Sequence, residues 1–172
     1  INFGLNYGLG ALTLKENLKM NIGVDISEEE AQNMKATFQN MYPKVTKYLS
    51  AAGERSFQNG YVYTMAGRLC SSREPGVETQ DYTVKNRGKN LPIQGLCADM
   101  IKYAMGKLFL RLEPRGVKLI NMVHDELVLE CKAEEAEEVG NILKEEMEIA
   151  GRMYLSALPC VAEVTIDNYW RH

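Results

Sequence analysis

The chain has 172 residues, 45% hydrophobic and 25% charged, with a formal net charge of −3. That balance suits one domain, or two halves sharing a core, and excludes a disordered chain, a collagen and a disulfide-stapled miniprotein. No run of about 18 apolar residues is present, so no membrane partner is expected.

Residues 1–9 read as the tail of a helix stopped by Gly8 and Gly10. INFGLNYGLG reads as the middle of something, and not as a secretory leader, so a fragment, a processed chain or half of a split protein is expected. No element is assigned between Gly10 and Ser27. Ser27 and Glu30 form a capping box that predicts a helix to about Met41, broken by Pro43. A second helix is predicted from about Lys44 to Asn59, with Gly60 closing it. Tyr61–Thr64 has strand composition, Gly67 marks a turn, and residues 70–82 read as a loop. A long helix is predicted from about Asn90, or earlier, to Leu112, ended by Pro114 and Gly116.

Val117–Val123 and Leu127–Cys131 are apolar runs separated by His124, Asp125 and Glu126, which predicts a hairpin with a short loop. Residues 133–152 read as an acidic amphipathic helix with Ala136, Val139, Ile142, Leu143 and Met147 inward. Val161–Ile166 alternates like a closing strand. The expected class is α+β, a mostly helical first half packed on a second half with a small antiparallel sheet.

Charge is uneven along the chain. Residues 44–118 hold 13 Lys and Arg against 6 Asp and Glu, while residues 131–172 hold 4 against 9. The basic stretch suits a phosphate backbone, or is chance segregation along helical faces. Cys70, Cys97, Cys131 and Cys160 lack zinc-ligand spacing and read as reduced thiols in a cytosol-like compartment.

Three places hold residue types that structure alone does not require. At the hairpin tip, His124, Asp125 and Glu126 stand where turns usually carry Asn-Gly or Asp-Gly. Adjacent carboxylates repel, and a divalent cation such as Mg²⁺ removes that repulsion; a solvated polar turn is the alternative. Phe3 and Tyr7 lie four apart among glycines, as core packing or as a surface for something flat. Asn90 and Gln94 are amides four apart on a helix, either ordinary polar residues of a helix start or donors to the acceptors of a DNA minor groove.

Taken together and in order, N-F-G-x-x-Y-G, N-x-P-x-Q-G-x-x-A-D and V-H-D-E-L-V-L-E resemble the family A DNA polymerases, those similar to bacterial DNA polymerase I. The resemblance covers the whole chain, including Gly60-Tyr61-Val62 and Gly67-Arg68. It implies that Asp125 is a catalytic ligand of two Mg²⁺ ions, with Glu126 a catalytic carboxylate helping hold the metals or their waters. It implies that His124 lies against the primer terminus, that Asn90 and Gln94 touch the primer–template minor groove, and that Arg68 is a basic position near DNA. Phe3 and Tyr7 match the helix that closes on the incoming dNTP, with Phe3 near its base and sugar and Tyr7 near the templating base. A Phe at this place implies discrimination against dideoxynucleotides. Residues 1–88 then correspond to a fingers portion and 89–172 to a palm portion. The implied setting is cytoplasmic, bacterial or viral.

The departures concern the catalytic set. The family's triphosphate-binding Arg and Lys, its second metal-binding aspartate and its sugar-gating glutamate match nothing in the chain and fall before Ile1. The expected function is therefore template-directed DNA synthesis by the C-terminal part of a polymerase, inactive alone and needing the upstream N-terminal part as partner. Asn86 stands where the family often has Arg, flanked by Lys85 and Arg87, and Leu96-Cys97 replaces a frequent Thr-Ala, which reads as packing. A non-catalytic DNA-binding remnant is the alternative. A phosphohydrolase on an unrelated fold has too few histidines to draw on, since the chain holds only two.

Overall fold

The capping box forms as the sequence requires. Ser27 Oγ accepts from the Glu30 backbone N–H at 3.1 Å, and the Glu30 carboxylate accepts from the Ser27 N–H at 2.7 Å. The Ser27 N–H, and after it the Ser27 hydroxyl, donate to the Glu30 carboxylate and hold it below its ordinary range. The computed structural model describes residues 4–5 and 8–170. It divides into two units, Ile1–Ile93 and Gln94–His172.

The first unit holds α1 (Ala11–Ile22), α2 (Glu28–Met41), α3 (Pro43–Asn59), β1 (Tyr61–Tyr63) and β2 (Leu69–Ser71). Helix α1 lies where the sequence reading assigned nothing. Gly10 opens it as an extended N-cap with no side-chain hydrogen bond, and Gly8 before it has φ 83. Leu14 and Leu18, four apart, bury its inner face, and Gly23 closes it at φ 70. Pro43 is the first residue of α3, where its missing N–H costs nothing. Part of the expected loop 70–82 is strand: β2 pairs antiparallel with β1, Val62 opposite Cys70. Leu5, Ala11, Leu14, Leu18, Ala31 and Phe38 form one core.

Helix α4 (Asp81–Leu112) runs through both units and begins nine residues before Asn90. Pro92 therefore stands inside the helix, and Asn90 and Gln94 are interior residues rather than a helix start. Helix α4 meets α3 at very short range. The Ser56 hydroxyl donates to the Val84 carbonyl at 3.0 Å, and a Cβ on Gly88 would fall onto the Ser56 side chain and within 2.9 Å of the Ala52 carbonyl oxygen.

The second unit continues through a 3-10 turn (Glu113–Arg115) into β3 (Lys118–Val123) and β4 (Glu126–Glu130), then a further 3-10 turn (Ala133–Glu135) and α5 (Ala136–Arg152). Its core joins Ala104, Leu108 and Leu112 of α4 with Val117, Leu127, Val139 and Ala150. Ile142, Leu143 and Met147 pack against it, as the helical spacing predicts.

The closing strand expected at Val161–Ile166 does not form. Alternation makes a strand only beside another strand, and this segment lies along α5 instead. The Glu148 carboxylate accepts from the Ala162 N–H at 3.3 Å. A Cβ on Gly140 would lie 3.0 Å from Val164, and one on Gly151 2.6 Å from the Cys160 sulfur. Two glycines thus let the segment approach the helix backbone.

Candidate active-site turn

The hairpin β3–β4 carries the most chemistry per residue. Val123 pairs with Glu126, so the connection is the two-residue turn His124-Asp125 and Glu126 already belongs to β4, not to a three-residue loop. His124 has φ 53, the one positive φ outside glycine among the described residues. The turn demands this left-handed backbone, which glycine adopts without strain and histidine does not. Strain of this kind gathers at functional sites.

The two carboxylates have different surroundings. Asp125 is exposed at the tip, whereas Glu126 is half-buried. Glu126 Oε1 accepts a hydrogen bond from the indole N–H of Trp170 at 2.7 Å. Leu127, the next residue, is buried in the core and fixes the turn to it. On the other strand Ile120 falls at a register shift between Leu119 and Asn121, a bulge that twists the hairpin. The oxygen ligands of Asp125 and Glu126 suit a hard cation such as Mg²⁺. Among the described residues no cluster of three or more His, Cys, Asp or Glu side chains could hold a metal ion.

The other expected positions fall as follows. Gln94 is exposed and Asn90 half-buried on α4. Arg68 is exposed between β1 and β2; its backbone N–H donates to Thr64 Oγ1 at 3.2 Å, and Gly67 beside it has φ 81. Phe3 and Tyr7 lie outside the described residues. Around Asn86, Lys85 pairs with Glu54 at 2.6 Å and Arg87 pairs with Glu74. A third base, which the sequence reading did not single out, is Lys89: its ammonium donates to Asn86 Oδ1 at 3.1 Å. Desolvation first, then the charges of Lys35 and Lys85, push the Lys89 pKa down. Leu96 is buried, in keeping with a packing role, but Cys97 is exposed. All four cysteines are free thiols, and no described helix is long and apolar enough to cross a membrane. Trp170 was also missed, because nothing local links it to a residue 44 positions away.

The small antiparallel hairpin shares one core with the long helix α4, Leu127 joining Leu108 and Leu112, and carries a carboxylate pair at its tip. The family described as DNA polymerase family A matches residues 1–172, and the chain belongs to that family. It is 38% identical to DNA polymerase I of Aquifex aeolicus, covering 99% of this chain and 29% of that protein. It is also 38% identical to the thermostable DNA polymerase I of Thermus aquaticus, covering 99% of this chain and 20% of the relative. Among solved structures it resembles the POL domain of Pol1 from M. smegmatis, in complex with DNA primer-template and dNTP. That match has a TM-score of 0.73 at 30% identity and covers 86% of this chain and 26% of the other. The chain thus spans between a fifth and a third of these proteins.

Proposed function

We propose that this chain is the C-terminal part of a polymerase that extends a DNA primer on a template from dNTPs, with residues 1–88 serving as fingers and 89–172 as palm. The observation that carries the proposal is the His124-Asp125 turn: a strained tip without glycine, followed at once by a second carboxylate. A plain turn has no use for either feature. Asp125 is the metal ligand and Glu126 the supporting carboxylate. When bound, a pair of Mg²⁺ ions lowers the pKa of the primer 3′-hydroxyl and neutralises charge on the leaving pyrophosphate. His124 packs against the primer terminus. Asn90 and Gln94 donate to the minor groove, where acceptors occupy similar places for every base pair, so they sense duplex shape rather than sequence. Arg68 adds a backbone contact, and Phe3 and Tyr7 receive the incoming nucleotide.

The same reading makes the chain inactive alone and dependent on an upstream part carrying the family's Arg, Lys and second aspartate. Two observations support that. Asp125 and Glu126 are two carboxylates with no third His, Cys, Asp or Glu grouped with them among the described residues, too few for a pair of Mg²⁺ ions. Strand β3 pairs only with β4 among the described residues, yet exposes Leu119, Ile120 and Met122. Apolar side chains on an exposed strand suit a surface that further sheet or another segment covers. The test is to mix the chain with a folded upstream part and follow incorporation of a labelled dNTP. Incorporation by the mixture and by neither part alone is expected; no rescue would count against the proposal.

A further inference from the structure

We propose that Trp170 is a positioning residue for the Glu126 carboxylate, an inference that rests on the reading of the hairpin turn as a metal site. Trp170 is the only tryptophan of the chain. Its indole N–H donates to Glu126 Oε1 at 2.7 Å, across 44 residues of sequence. The backbone leading to it is tied along α5 by the Glu148 bond to the Ala162 N–H and by close approach at Gly140 and Gly151. The C-terminal segment therefore delivers one donor to one carboxylate beside the turn.

The chemistry of that donor matters. A glutamate has three side-chain torsions, and repulsion from the neighbouring Asp125 favours rotamers that separate the two charges. A partner is needed to hold the carboxylate in place. Lysine or arginine would hold it but cancel its charge, and so weaken its hold on a cation. The indole N–H is a neutral donor with no acceptor capacity. It fixes one oxygen and itself brings no charge to cancel that of the carboxylate. Outer partners of this kind orient metal-binding carboxylates, and their loss typically costs about 10–100-fold in metal affinity or activity.

A single tryptophan gives a single indole N–H resonance, which reads the bond directly in the chain itself. Glu126→Gln should shift that resonance upfield, as a charged acceptor is exchanged for a neutral one. An unmoved resonance overturns the proposal whatever the activity data show. In the complex with the upstream part, Trp170→Phe keeps a ring and removes the donor. The Mg²⁺ concentration for half-maximal incorporation should rise about 10-fold, with the Kd for primer–template unchanged. Trp170→His, which retains a ring N–H, should return the midpoint toward that of the parent. A parent-like Mg²⁺ midpoint in Trp170→Phe overturns the positioning role. The underlying reading fails separately, if Asp125→Ala leaves incorporation intact.

Discussion

At the scale of single residues, the turn shows how chemistry and backbone compete. His124 occupies φ 53, a region where an L side chain costs roughly 1–2 kcal/mol. Replacing it with glycine removes that strain but loosens the unfolded chain, so His124→Gly should stabilise the protein by about 0.5–1 kcal/mol net. Thermal melting checks this as a small rise in Tm. Incorporation by the complemented enzyme should fall, because the ring proposed to pack against the primer terminus is gone. An unchanged rate with the higher Tm would make His124 an ordinary turn residue. The carboxylate pair beside this turn was visible in the sequence, because adjacent carboxylates there serve no backbone purpose. The difference in their surroundings was not. Glu126 differs from Asp125 through a strand register and a bond to Trp170, and neither is written in the local sequence.

Elements were legible where they carry local signals. The Ser27–Glu30 box and the Pro43 and Gly60 boundaries of α3 lie where the residues place them. Helix α1 was not, because it has no side-chain cap and the exposed Leu12, Met20 and Ile22 blur the inner face that Ala11, Leu14 and Leu18 bury. The strand expected at Val161–Ile166 failed because alternation is silent about the neighbour. Helix packing makes two predictions. Gly88→Ala gains helix propensity of about 1 kcal/mol, but its methyl meets Ser56 and the Ala52 carbonyl of α3, neither of which is a flexible chain end. Overpacking of this kind costs typically 1–3 kcal/mol, so the net effect is destabilising and Tm should fall. A raised Tm would show that α3 and α4 can separate cheaply.

The second prediction concerns acid. The Ala162 N–H, with help from Arg152 and Lys144, holds the Glu148 carboxyl below its ordinary value of 4.5. A depressed carboxyl contributes stability above its unfolded pKa and loses it as pH falls through the folded one. Amide exchange at Ala162 should therefore speed up, beyond the intrinsic pH dependence of exchange, as pH drops below about 4.5. Glu148→Gln should remove that acid-dependent step. A step that persists in the glutamine variant would assign the effect to another carboxylate.

The whole molecule belongs to a polymerase family yet spans a fraction of its relatives' length. Family and fold class were both legible, since three motifs in order leave little room for chance. The completeness of the active site is a different matter, because a catalytic set can be shared between segments far apart in sequence. The basic stretch 44–118 illustrates the point. Lys85 and Arg87 are spent on ion pairs with Glu54 and Glu74, so raw charge overstates what is on offer to DNA. Exposed pairs are worth roughly 0–1 kcal/mol, and phosphate contacts can compete with them.

The most direct measurement is primer extension by the chain complemented with its upstream part, comparing parent with Asp125→Ala, with primer–template binding followed on the same samples. Loss of extension to background with DNA affinity retained is the expected result. Extension that survives the substitution would contradict the account, because the turn would then hold no part of the catalytic metal site.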